Sequence, residues 1–315
     1  MAFYQATGAA LNQLILHNYP LSPFSEKIRS MLGYTKIPWQ SANTREAPPR
    51  PILEQLAGGY RKVPVAQIGA DIFCDTRTIS AEIAAMANMP ELIVENADAE
   101  CQAFVEEVEQ KMFFATLACS MSFKLNKKVL RTLSVLDVAQ MMWDRIKMGR
   151  NATVKMAGLK TSKAILQAYL EDLENQLSRD FIFGNGPSIA DFAAYHSLWF
   201  YRDLAEKSEI NKYHNINRWM DRIKQFGHGK ELELDPPLAL EIARNNEPRP
   251  IEEAFKDDPM IGKQVLIAPS DYAQTASQGT LVGSKPHGWI IARQEPSLGT
   301  VHVHFPRHGF TLTPV

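Results

Sequence analysis

Only three cysteines occur in 315 residues, Cys74, Cys101 and Cys119. Their number is odd and their spacing fits neither a disulfide framework nor a metal centre, so a reducing compartment is the simpler reading. A charge excess is also missing. Lys and Arg total 34 against 35 Asp and Glu, for a net charge of −1, which argues against nucleic acid or an anionic membrane as the main partner. No apolar run approaches the roughly 20 residues that a membrane-spanning helix needs. The first seventeen residues lack a basic n-region, and Asn12 and Gln13 interrupt their apolar part, so no signal peptide is expected. These absences predict a soluble, cytoplasmic protein. What is present is 45% apolar residues, enough for sizeable cores in two or three domains.

The first informative stretch is Leu14 to Leu32. Leu14, Ile15 and Leu16 form a short apolar run of the buried-strand kind, and a turn-like segment follows. Ser22-Pro23 then precedes Phe24, Ile28, Met31 and Leu32 at helical spacing. Serine suits the cap of a helix and proline its first position. The helix start carries unpaired N–H groups that favour an anion. Ser22-Pro23-Phe24-Ser25 has the layout of a Cys-x-x-Cys redox motif with both sulfurs replaced by hydroxyls. Such a site could hold another molecule's thiol, or Ser22 could only cap the helix.

Residues 1–12 read as a loose leader. Ile37 to Ser41 reads as a second short strand, at a sheet edge because of Pro38. Ile52, Leu53 and Leu56 allow a short helix ended by Gly58-Gly59. Val65 to Ile68 and Ile72 to Cys74 read as a hairpin around a Gly69-Ala70-Asp71 turn. Lys62-Val63-Pro64 precedes it, and a cis bond before Pro64 would expose the valine backbone. Asp75-Thr76 then opens a helix with Ile79, Ile83 and Met86 on one face. Strands alternating with helices imply an α/β layer.

Ser-Pro-Phe at the first helix, Lys-Val-Pro before a hairpin and an acid-hydroxyl pair opening the third helix occur in that order. This resembles the thioredoxin-like N-terminal domain of glutathione S-transferases, particularly those with an active-site serine. The family usually has Glu-Ser where this chain has Asp75-Thr76, so one methylene is lost from the acid. The resemblance implies that Ser22 donates a hydrogen bond to the glutathione sulfur and that the Val63 backbone, before Pro64, pairs with the cysteinyl part. It implies that Asp75 meets the γ-glutamyl amine and that the Thr76 hydroxyl and N–H hold its carboxylate. Lys62 would approach the glycine end, or it is a solvated surface lysine. Tyr19 is the alternative donor to sulfur. Some members place an aromatic at the position of Tyr60 that inserts into a partner's helical domain, which implies a homodimer; a partly buried loop tyrosine is the other reading.

From about Ala97 helical spacing dominates. Phe104, Val108, Met112, Ala115 and Cys119 form one stripe; Leu133, Leu136, Ala139, Met142 and Trp143 a second; Ile165, Ala168, Tyr169, Asp172 and Leu173 a third. Ser188 and Asp191, three apart, form a capping box of the kind found in the all-helical second domain of the same family, a folding signal rather than a catalytic one. The resemblance covers residues 14 to about 226. Beyond it, Pro236-Pro237, Pro248 and Pro250 mark a linker, with a helical turn or two at Leu238 to Ala243. Short strands follow at Gln264–Ile267, Thr280–Val282, Trp289–Arg293, Thr300–Phe305 and Phe310–Leu312, punctuated by glycines, for a small antiparallel sheet or barrel. His302 and His304 share one strand face, read as solvated because no third metal ligand is evident. Asp271 to Thr275 is a polar loop without assigned chemistry.

The expected organisation is an α/β thioredoxin-like, glutathione-binding domain over residues 12–88, an all-α domain over 97–228, a linker over 229–258 and a small β-rich region over 259–315. The expected function is conjugation of glutathione thiolate to a small electrophile, with glutathione as substrate, no metal, and Ser22, Lys62, Val63, Pro64, Asp75 and Thr76 as the site. The alternative is a binding or assembly protein of the same fold with little turnover.

Overall fold

The computed structural model describes residues 13–132, 134, 138–144 and 157–315. The expectations for residues 1–12 and for Leu133 and Leu136 lie outside them. The chain opens with β1 (Leu14–Asn18), α1 (Pro23–Thr35), β2 (Trp39–Asn43), α2 (Pro51–Ala57), β3 (Val65–Ile68), β4 (Asp71–Cys74) and α3 (Thr76–Ala87). β1 pairs in parallel with β2 and antiparallel with β3, and β3 pairs antiparallel with β4. This is the expected thioredoxin-like layer. Leu14 and Leu16 enter one core with Ile28, Met31 and Ile79, while Ile15 faces the other side with Ala42 and Ala239. Side-chain alternation along the strand, with both faces covered, explains the unbroken apolar run.

The helical part comprises α4 (Ala99–Glu107), a π-helical segment (Val108–Met112), α5 (Phe113–Ser120), α6 (Phe123–Thr132), α7 (Leu159–Gln176), α8 (Ile189–Trp199) and α9 (His214–Gln225). The stripe from Val108 through Met112 and Ala115 to Cys119 is buried. The Ser188–Asp191 capping box forms at the start of α8. Asp191 is fully buried, and one carboxylate oxygen accepts from the Ile182 N–H at 3.0 Å and the Trp219 indole at 2.8 Å. The box therefore also ties α8 to α9.

Residues 229–258, expected as a linker with a helical turn or two, hold a strand and a helix, and the later strands, expected as a small antiparallel sheet or barrel, join the first sheet. β5 (Glu231–Leu234) pairs in parallel with β2, so β2 is not an edge; Pro38 lies before the paired residues and costs no ladder bond. α10 (Pro236–Arg244) buries Ala239 and Ala243 against the sheet. β6 (Gln264–Pro269), β7 (Ser277–Lys285), β8 (Gly288–Glu295), β9 (Gly299–Pro306) and β10 (Phe310–Pro314) continue the first sheet, because β9 pairs in parallel with β4. The strand order is β10-β6-β7-β8-β9-β4-β3-β1-β2-β5. Val301, Val303 and Phe305 of β9 join Leu53, Leu56, Tyr60, Val65 and Ile72 in one core.

His302 and His304 alternate with that core as expected, but their face is not solvated. Docking β9 on β4 carries it onto the side occupied by Phe73. His304 is buried, its ring stacks on Phe73 at 4.5 Å, and its Nε2 lies 2.7 Å from Asp71 Oδ1. Asp71, expected in a turn, is the first residue of β4 and also accepts from the Arg249 N–H at 2.9 Å. Burial alone would raise the Asp71 pKa, but the contacts from His304 and Arg249 outweigh it and hold the carboxyl below its ordinary value.

Burial also keeps histidines neutral. It pushes His17 and His196 down to about 4 and lowers His304 against the pull of Asp71. The unfolded chain, with histidines near 6.5, then binds more protons than the folded one as pH falls, so stability must fall with it. A loss of about 2 kcal/mol for each of His17 and His196 is expected between pH 7.5 and 5. Urea midpoints at the two pH values measure it, and a flat profile would show that these imidazoles are not buried neutral.

Candidate functional site

A cleft of about 260 Å³ opens between the start of α3, the α4–α5 region and the C-terminal strands. Lys62, Val63, Pro64, Asp75 and Thr76 all line it. The Val63–Pro64 peptide is cis. Asp75 caps α3 and accepts from the Arg77 N–H at 3.0 Å. Its backbone, at φ 78° and ψ 144°, occupies a region that residues with a side chain rarely adopt. Burial pushes the Asp75 carboxyl up against the pull of the Lys62 ammonium. A ligand ammonium would hold it ionised, and the first turn of α3 presents N–H groups to a carboxylate beside it.

Five of the six expected site residues thus meet in one cleft, and the sixth does not reach its lining. Ser22 is 1% exposed, and its hydroxyl oxygen accepts from the Ser25 N–H at 3.1 Å, the cap geometry expected for Ser-Pro. Phe24, two residues on, forms the wall instead. The Ser22 hydroxyl proton is not used by that cap and remains a donor. Tyr19 is not among the lining residues either.

Sequence reasoning missed three groups of lining residues. Val105, Glu109, Gln110 and Phe114 come from the helical part, where lining and core residues have the same spacing. Glu109 pairs with the buried Lys27 ammonium, which outweighs the effect of burial and holds its carboxyl below the ordinary range. Phe24 shows only helical spacing in the sequence, which does not mark it as lining. Asp271, Tyr272, His308 and Phe310 come from the C-terminal strands and their loops, and no spacing pattern links them to the rest.

Tyr60 is used within its own chain. It is 3% exposed, with Phe305 and Phe310 at ring distances of 5.9 and 6.2 Å, and its N–H donates to Ser277 Oγ at 3.1 Å. The neighbouring Gly59 permits this docking, since a Cβ there would lie 2.0 Å from the Ala276 carbonyl oxygen. Among the described residues no group of three or more His, Cys, Asp or Glu is placed to hold a metal, and no helix is long and apolar enough to cross a membrane.

The fold is a thioredoxin-like domain joined to a helical domain, and the cleft is lined by residues of both and of the C-terminal strands. Residues 16–91 match the family model for the glutathione S-transferase N-terminal domain, and residues 123–225 that for its C-terminal domain. A GST-like protein from Pseudomonas syringae is 30% identical, with 96% of this chain and 100% of that one covered and a TM-score of 0.76. The chain belongs to the glutathione S-transferase family. FzlA from C. crescentus is 21% identical at a TM-score of 0.44, over 75% of this chain and 93% of that one. A Pseudomonas fluorescens glutathione transferase family member, solved with two glutathione bound, is 14% identical at a TM-score of 0.47, over 70% of this chain and 92% of that one. No curated protein matches the chain.

Proposed function

We propose that the protein binds glutathione in this cleft and transfers its thiolate to a small electrophile. The observation that carries the reading is the convergence of Lys62, Val63, Asp75 and Thr76 on one cleft. Asp75 would take the γ-glutamyl ammonium, the Thr76 hydroxyl and N–H its carboxylate, and the Val63 backbone the cysteinyl unit. The thiolate is the nucleophile, and a free thiol with a pKa of about 8.5 is only a few per cent ionised at neutral pH. The Ser22 hydroxyl and the α1 N-terminus would favour ionisation. The thiolate then attacks the electrophilic carbon, a C–S bond forms and the leaving group departs with its electron pair. The burial of Ser22 supports the second reading, a binding or assembly protein of this fold with little turnover.

Asp75→Asn is expected to raise the glutathione Kd by about tenfold while thermal stability is kept, because it removes the charge that meets an ammonium. Calorimetric titration measures this, and a wild-type Kd in the folded variant would remove Asp75 from the site. Ser22→Ala is expected to raise the pKa of the bound thiol by roughly one to two units, the worth of a hydrogen bond to a charged group. Thiolate absorbance against pH on the glutathione complex reads it. An unchanged pKa with about 1 kcal/mol less stability would leave Ser22 a cap and favour the second reading. The homodimer that the resemblance implies would have to form without Tyr60 as its key.

A further inference from the structure

A second cleft, of about 130 Å³, shares no lining residue with the first. It lies between residues 249–255 and the β4–β9 pair, with Lys285 at the end of β7 and Glu82 of α3 at its sides. Its floor is His304, 7% exposed. Asp71 is ionised and accepts from the His304 Nε2–H at 2.7 Å. Burial keeps the ring neutral, so Nδ1 is an acceptor. Nδ1 has no partner among the described residues and is not sealed in the core. Arg249 is spent on two acids: its Nε lies 3.3 Å from Asp71 and its Nη1 2.8 Å from Glu82. That leaves one ammonium, Lys285, and one carboxylate, Glu252, lining the cleft with no ion-pair partner among the described residues. Lys285 Nζ stands 5.3 Å from the centre of the Phe255 ring. Phe255, Ile251 and Ile290 supply an apolar wall.

We propose that this second cleft binds a small apolar α-amino acid, its ammonium donating to His304 Nδ1 and Glu252 and its carboxylate accepting from Lys285. The free acceptor, the free acid and the free ammonium match the two ends of a zwitterion. An amine alone would leave Lys285 unused, and a carboxylate alone would present no donor to Nδ1 and would meet Glu252 as a like charge. The apolar side chain lies against Phe255, Ile251 and Ile290, and the volume is below that of sites for drug-sized ligands, about 300 Å³ and more. The walls are fixed. The Arg249 N–H donates to Asp71 at 2.9 Å, and Ile251 packs so closely on β7 that a Cβ at Gly283 would lie 3.3 Å from its Cγ2. The site is independent of glutathione binding in the first cleft.

The test is calorimetric titration of the full chain with leucine, with 3-methylbutylamine, which lacks the carboxylate, and with 4-methylpentanoate, which lacks the ammonium. Leucine is expected to bind about tenfold more tightly than either analogue, the scale of one charge-assisted contact. Lys285→Met and Glu252→Gln should each weaken leucine about tenfold. Neither side chain has an ion-pair partner among the described residues to lose, so the melting temperature should stay near the native value. Asp75→Asn, in the first cleft, should leave leucine affinity unchanged. No binding at millimolar leucine would overturn the proposal. So would an amine or a carboxylate that binds as tightly as leucine, since one end of the zwitterion would then be unread. Leucine affinity that falls in Asp75→Asn but not in Lys285→Met would place the amino acid in the first cleft and overturn the second as its site.

Discussion

A chain cut after Gly227 is expected not to fold. Removing the later residues strips β9 from the β4 edge and β5 from the β2 edge. It also uncovers Leu53, Leu56, Tyr60, Val65 and Ile72, all buried against Val265, Ile267, Leu281, Val303, Phe305 and Phe310. At about 1.5–3 kcal/mol for each large apolar side chain, the loss is on the order of 10 kcal/mol, comparable to the whole stability of a typical domain. Two newly bare strand edges would add a template for aggregation. Circular dichroism and thermal melting of the shortened chain measure the outcome. A cooperative transition near that of the full chain would make the C-terminal strands an appendage rather than part of the fold.

The second large effect is expected at Asp191. Alanine there leaves the Ile182 N–H, the Ser188 N–H and the Trp219 indole without their acceptor inside the helical core. Orphaned buried donors cost about 1–3 kcal/mol each, so a loss of about 3–5 kcal/mol and a fall of roughly 10 °C in Tm are expected. Asp191→Asn should lose less, because its carbonyl oxygen can still serve Ile182 and Trp219. Differential scanning calorimetry of the two variants checks the order. Equal losses would show that the charge, and not the acceptor geometry, is what the core uses. Because Asp191 does not line the cleft, glutathione affinity measured below the transition should stay at the native value.

The residues legible from sequence share a property: their partners lie a few positions away. Ser188 and Asp191 are three apart, Ser22 caps the turn containing Ser25, and Asp75 accepts from Arg77. Capping and turn chemistry are local, so residue type and spacing specify them. The three motifs around Ser22, Val63 and Asp75 could be matched to the family on that basis. Missing were contacts whose two halves carry no common period. The aromatic and acidic residues of α4–α5 look alike whether they face a core or a cleft. The face carrying His302 and His304 reads as solvated until β9 is known to dock on β4.

The sequence by itself determined the thioredoxin-like order of strands and helices and the capping of α1, α3 and α8. Each follows from hydrophobic period and local hydrogen bonding. Only the tertiary structure decided that the C-terminal strands extend the first sheet, that Tyr60 is consumed within the chain, and that Asp271 stands over Lys62. Asp71 and His304 are 233 residues apart, and Lys62 and Asp271 are 209 apart. Contacts at such separations are set by which strand edge is free to pair and which apolar face is left to cover, and those are properties of the assembled sheet rather than of any stretch of chain.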